Sequence, residues 1–508
     1  MEFNLKKTPV GILSSVLDTV CEQPVDIDFT LPDYCPDIEK ILRCKFIPKI
    51  YNRNLSGGQL RIDGTTVVSI LYVDPDGGLK ACEQTVPFNS SFPLSSNVED
   101  AIIRTNVKCE YVNCRALSRR RLTVHGAFSL YAKVLFRSAV DLFSPDESDN
   151  LEFKTKKLSC SALTALCQEQ FNSGDELRIT NKPSVDYIID SSVQPRITEF
   201  KVIPDKLMLN GELGVRILYM SAETDKPQQI DYILPFSRVI DCEGIDDNTT
   251  VLPEINVLSS DVRLKNDILS EDPVVDVDSR ICVTVEGYTP SEVEVVLDAF
   301  STQYVTELNM VRVNIPTGFN PVSDSVMQKE SVSFDENSPA EILDLSCDYQ
   351  LQSSVISGEN ITVGSKLNVC ILALDRDNQP VYIERTLEFS NDIPLDDSYN
   401  TLSSIDACVS SLSYRIGDNN NVELRCELRF AGAVMNEENR EIVSDVNCDE
   451  DNKIAPKDSS LILYFSEQNE SLWDIAKRYN TRIAGIYEEN NLLDDSLAGG
   501  SMLLIPTI

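Results

Sequence analysis

GTTVVSILYVDPDGGLKACEQTVPF, residues 64–88, carries the information that decides the fold. Residues 65–73 are apolar or β-branched, residues 74–78 (DPDGG) interrupt them with turn formers, and a second extended run leads to Phe88. Strand, turn and strand in that order make a β-hairpin. The pattern returns as GELGVRILYMSAETDKPQQIDYILPF at 211–236 and as GSKLNVCILALDRDNQPVYIERTLEF at 364–389. The Ile-Leu pairs begin at Ile70, Ile217 and Ile371, and the segments close on Phe88, Phe236 and Phe389. MEFNLKK at 1–7 likewise matches LEFKTKK at 151–157. Self-similarity at one long period marks tandem modules. Asp74 and Asp76 invite comparison with a calcium loop, but residues 221–227 and 375–380 share no ligand set with them, so turn chemistry is the better account.

Working outward, the fold expected is multidomain: three tandem β-rich, mainly antiparallel modules over 1–150, 151–300 and 301–447. An acidic linker over 448–459 and a small α+β domain of βααβ order over 460–508 complete the chain. SPDESDN (144–150) separates the first two modules, repeat spacing alone places the next junction near 299–304, and NCDEDNK (447–453) opens the linker. A fainter half-repeat relates LRIDG (60–64) to LTVHG (122–126), and ITV (361–363) to VEL (422–424), which implies two β units per module. It puts His125, the single histidine, at a polar position beside a strand, where a satisfied surface role outweighs a catalytic one.

The 508 residues hold 45 Lys+Arg against 81 Asp+Glu, a formal charge of −36 that repels phosphate backbones. The one dense basic run lies in RALSRRR (115–121), read either as a patch for an acidic partner or, preferably, as a solvated hairpin turn. No stretch reaches the ~18 apolar residues of a membrane helix. The N-terminus lacks a secretory pattern, so cytosolic synthesis is expected. Fifteen cysteines are scattered without a CxxC and with one histidine, which argues against zinc. Buried reduced thiols are the first reading and a disulfide-linked assembly the second. No P-loop, GxGxxG after a strand, HExxH or GxSxG occurs, so neither enzyme activity nor a cofactor or metal is expected.

From Leu461 the pattern changes. Residues 461–465 (LILYF) form a strand, Ser471 caps a helix with Leu472, Ile475, Ala476 and Tyr479 on one side, and Thr481 caps a second helix ending at Asn490-Asn491. Met502 to Ile505 is a closing strand stopped by Pro506. Tyr464, ESLWDIAKRY (470–479), Asn490-Asn491-Leu492, Gly500, Leu503 and Ile505-Pro506 resemble a LysM domain. That resemblance implies binding of N-acetylglucosamine polymers between the loops at 467–472 and 491–496. Asn469 replaces a usual glycine and Ser466 a usual apolar residue, which weakens the sugar reading. Met502 and Leu504 alternate with inward Leu503 and Ile505, so they face out as a protein contact or lie covered by the third module. Trp473 is read as packing in preference to a sugar platform. The binding surface expected is Asn469, Glu470, Ser471, Leu492, Leu493 and Asp494, with Met502 and Leu504 as apolar contacts.

LPDYCPDIEKIL (31–42), followed by paired strands ending in Ile70-Leu71-Tyr72, looks like the SPOCS domain of spore coat morphogenetic proteins of the SipL type. Proteins of that type carry SPOCS modules and then one LysM domain. The later modules keep only PSVD (183–186) and PAEI (339–342) of the signature and are assigned through the internal repeat. The resemblance implies a non-enzymatic coat-assembly adaptor of endospore formation. It would act in the mother-cell cytosol at the forespore outer surface, later in the spore coat, docking through LysM onto a coat scaffold protein resembling stage IV sporulation protein A. The alternative is a protein that binds peptidoglycan or another N-acetylglucosamine polymer through LysM.

Overall fold

The computed structural model describes residues 2–3, 5–145, 150–179, 184–224, 226–265, 274–333, 339–417, 421–455, 459–467, 470–492 and 501–507. Three units share one topology. In the first, Gln59–Val73 is the centre of an antiparallel meander between Lys40–Ser56 and Leu79–Pro93. A second sheet centres Arg121–Ser144 between Lys6–Thr30 and Ile102–Ala116. The second unit repeats this with Lys206–Ser221 and Val274–Ser301 as central strands, the third with Asn360–Leu374 and Asn421–Lys453. The half-repeat LRIDG and LTVHG thus marks the two central strands of one unit. Glu2–Phe3 leaves the first unit and pairs with Asn421–Lys453 of the third, tying the start of the chain to its last large sheet.

The repeated Ile-Leu pair shows how the units assemble. Neighbouring strand residues point to opposite faces. Ile70, Ile217 and Ile371 are fully buried inside their own units. Leu71, Leu218 and Leu372 point the other way and meet one another in a cluster shared by all three units. The central strands are buried on both faces, which accounts for their unbroken apolar character. Opposite each Leu, the first meander strand carries a β-bulge at Leu42, Ile189 or Leu343, which turns that apolar residue into the shared cluster. The positions paired with Leu71, Leu218 and Leu372 are Arg43, Asp190 and Asp344, one cation and two anions around the same pseudo-threefold centre.

The turn and aromatic elements of the repeat also find physical roles. Asp74 Oδ1 accepts from the N–H groups of Asp76 (3.0 Å) and Gly78 (2.7 Å), and Asp375 does the same for Asp377 and Gln379. These aspartates build turns. Gly64 lies opposite Phe88 and Gly211 opposite Phe236. A Cβ on Gly64 would stand 2.3 Å from the Lys49 carbonyl oxygen and 2.5 Å from the Phe88 ring, so only glycine fits beneath the aromatic.

A second shared core gathers the long strands, with Val10 and Leu142 from the first unit, Leu158 and Val295 from the second, and Ile315 and Ile442 from the third. The acidic run expected to open a linker belongs to this region. Asn447, Cys448 and Asp449 pair with Glu307, Thr306 and Val305, and the strand continues to Lys453. Alternation buries Cys448 while Asp449 faces solvent, so Asp449 sits on the wet side of a strand that composition alone hides. Among the described residues no helix is long and apolar enough to cross a membrane.

Candidate functional site: the C-terminal domain and its exposed sheet

Leu461–Phe465 and Met502–Pro506 pair antiparallel, and Leu472–Tyr479 and Ile483–Asn490 are the two helices. Ser471 caps the first helix: its Oγ accepts from the Asp474 N–H at 3.2 Å and donates to Asp474 Oδ2 at 2.6 Å. Thr481 does not cap the second helix, which starts after Arg482; its hydroxyl donates to the Pro506 carbonyl at 2.6 Å and secures the closing strand. Asn490 fixes the same strand, its amide accepting from the Leu504 N–H and donating to the Leu504 carbonyl, both at 2.6 Å. The core beneath is Leu472, Ile475, Ala476, Ile486, Leu503 and Ile505.

The expected contact residues separate into three groups. Asn469, Leu493 and Asp494 lie outside the described residues. Glu470 is turned inward, with its side chain 8% exposed: Tyr464 donates to it at 2.8 Å, the Glu467 N–H at 3.1 Å, and Arg478 at 2.8 Å. Burial alone would raise its pKa, but those partners hold the carboxyl below its usual range. Glu470 therefore organises the first loop from within. Leu492 packs partly buried on the domain core, and Ser471 is engaged as the cap.

Met502 is 60% exposed, and Leu504, on the same face of the strand, is half-buried. The same alternation leaves Leu461, Leu463 and Phe465 exposed on the neighbouring strand. Cross-strand register sets Leu463 beside Leu504 and Phe465 beside Met502, so these side chains form one continuous apolar face. Sequence reasoning found half of this face; period-two alternation along 461–465 would have found the rest. Contiguous exposed apolar surface marks an interaction site more often than isolated exposed side chains do.

The helical side of the domain is docked on the second unit. Trp473 is buried edge-on against Phe300 with ring centroids 5.1 Å apart, and its Nε1–H donates to Asp298 Oδ2 at 2.8 Å. Lys477 Nζ reaches the same carboxylate at 2.7 Å. A bulge at Leu297 precedes Asp298 and aims its side chain at the domain. Glu152 accepts from the Ile483 N–H beside Arg482, and burial there pushes its pKa up. Trp473 is thus a packing residue, and the apolar sheet face is left free on the side away from this seam.

Residues 31–38 of the first unit form a second organised feature. Arg120 reaches back from the hairpin turn to donate to the carbonyls of Cys35 (3.0 Å) and Pro32 (2.9 Å) and to Asp37 (3.0 Å). The Leu31 and Ile38 N–H groups donate to the Arg120 and Arg119 carbonyls, each at 2.8 Å. The basic run is a hairpin turn whose middle arginine clamps the LPDYCPDI loop. His125 is exposed in its strand, beside Asp26 and Tyr111.

The SipL, SPOCS-domain family matches residues 37–117 and 184–265, and the LysM-domain family matches residues 467–506. Each SPOCS match covers the same four strands, a meander and the strand after it, and the third unit repeats that arrangement. No curated protein and no solved structure matches the chain. SPOCS and LysM are non-catalytic binding or structural domains, and together they fit a sporulation coat-associated protein. In domain content and order the chain is similar to SipL-type proteins, with two SPOCS-domain matches followed by a C-terminal LysM domain.

Proposed function

We propose that this chain is a non-enzymatic adaptor of spore coat assembly that docks a coat scaffold protein, one resembling stage IV sporulation protein A, onto the forespore outer surface. It works in the mother-cell cytosol and stays in the coat. The supporting observation is the exposed apolar face of Leu461, Leu463, Phe465 and Met502 on a LysM domain whose other side is already fixed to the body. A rigidly held domain presents such a face without the ordering cost of a free tether, which favours recognition of another folded surface. The three units supply the stiff base.

The test is binding of the full chain to immobilised scaffold protein. Leu463→Glu combined with Met502→Glu weakens it at least tenfold while Trp473 emission stays unchanged, reporting an intact domain. The LysM match also favours a second reading, capture of peptidoglycan glycan. Retention of both the native chain and the double variant on insoluble peptidoglycan, with no scaffold binding by either, selects that reading and rejects the adaptor.

A further inference from the structure

Eight of the 15 cysteines stand as four thiol–thiol hydrogen bonds. Three of these, one in each unit, span the two sheets of their unit, whereas the fourth joins Cys35 and Cys82, both buried in the first unit's core. Cys44, on the meander strand Lys40–Ser56, meets Cys114 on Ile102–Ala116 of the opposing sheet. Cys167, on the long strand Leu151–Arg178, meets Cys242 just beyond the meander strand Pro227–Asp241. Cys347, on the meander strand Glu341–Ser357, meets Cys426 on Asn421–Lys453.

The three pairs do not occupy equivalent positions in the repeat. Cys44 lies opposite Ile70 whereas Cys347 lies opposite Val369, two residues before the equivalent Ile371, and Cys167 is on the opposite sheet from both. One inter-sheet pair therefore arises in each unit by a different route. Every pair sits within its unit's own core cluster, and Cys44, Cys114, Cys167 and Cys347 are partly exposed, which gives a small reagent access to each.

We propose that Cys44–Cys114, Cys167–Cys242 and Cys347–Cys426 are oxidation sites, each closing to a disulfide that joins the two sheets of one unit. The oxidant is a low-molecular-weight disulfide. One cysteine thiolate attacks it, forming a mixed disulfide and expelling half of the reagent as thiolate. The partner cysteine then attacks the protein sulfur of that mixed disulfide and releases the other half. Two electrons pass to the reagent, and the two protons from the cysteines end on its two thiols or in solvent. The hydrogen bond each pair makes supplies the starting thiolate, since the S–H of Cys44, Cys167 and Cys347 holds Cys114, Cys242 and Cys426 below the ordinary thiol range.

The experiment uses the full chain, fully reduced and then exposed to oxidised glutathione. Thiols are counted with a maleimide after denaturation, and links are mapped by non-reducing peptide mass spectrometry. The expected count falls from 15 to nine, with the three named links inside one chain and Cys35 and Cys82, both buried away from the reagent, still reduced. Cys44→Ala and Cys114→Ala each remove the first link alone and leave the other two in place, so one serves should the other fold poorly. A count that stays at 15, or links that join exposed Cys109 and Cys408 or run between chains, overturns the proposal.

Discussion

Trp473 donates its indole N–H to Asp298 across the seam between the LysM domain and the second SPOCS unit, 2.8 Å from nitrogen to oxygen. The same carboxylate holds Lys477, so one residue of the body carries two contacts of the docked helix. Asp298→Ala leaves the indole N–H without its acceptor and removes a charge-assisted partner, a cost of about 1–3 kcal/mol to docking. Trp473 is the sole tryptophan, so its fluorescence reports the seam directly. Emission moves to longer wavelength in Asp298→Ala and further in Phe300→Ala. Unshifted emission in both variants means that the seam is held elsewhere.

Arg120 is predicted to be worth more than its neighbours in the same turn. Its guanidinium donates to three carbonyls and a carboxylate of residues 31–38, a fork that lysine cannot reproduce. Arg120→Ala and Arg120→Lys both lower stability by about 1–3 kcal/mol, whereas Arg119→Ala and Arg121→Ala stay within roughly 0.5 kcal/mol. Hydrogen exchange gives the local signature. The Leu31 and Ile38 amides lose protection in the Arg120 variants while amides at 59–73 do not.

What could be read in advance was what is local. Residues 64–88 and their two repeats showed as hairpins because turn chemistry and alternation lie within a few residues of each other. Ser471 showed as a cap for the same reason. Leu71 showed as part of an apolar strand but not as meeting Leu218 and Leu372, because nothing in a strand tells which surface will cover its second face. The same limit applies to Arg120, whose partners lie some eighty residues away, and to Thr481, whose hydroxyl serves a strand at the end of the chain in place of its own helix. Glu470 matched a family position, yet its acceptors are consumed inside the domain. At residues 447–453, charge concealed an alternating strand.

The pH response should be set in part by Asp190. Burial would raise its pKa, but Lys45 and Arg43, the latter at 2.6 Å, hold it below the ordinary carboxylate range. The folded state therefore binds this proton less readily than the unfolded chain does. Its contribution to stability is complete above about pH 4 and is lost as pH falls through the depressed native value. Asp190→Asn leaves Arg43 buried without its closest anion and costs about 3–5 kcal/mol at pH 7. Urea midpoints of the two proteins then converge as pH drops below about 4. Parallel curves over that range would show that Asp190 does not titrate with folding.

Ile217 and Leu218 are adjacent and almost equally buried, at 0% and 3% exposure, yet they belong to different levels of the assembly. Ile217 packs inside the second unit, whereas Leu218 meets Leu71 and Leu372 where the three units converge. Ile217→Ala leaves a cavity in one sandwich and costs about 2–5 kcal/mol there, with the units still in contact. Leu218→Asp places a charge at a centre that already holds Asp190 and Asp344, with Arg43 and Arg216 engaged by those two. The units should then part while each keeps its own core. Small-angle scattering gives a larger radius of gyration for Leu218→Asp and no change for Ile217→Ala, and calorimetric unfolding broadens or divides only in the former. If instead Ile217→Ala expands the molecule as much as Leu218→Asp, the shared leucine cluster is not what joins the units.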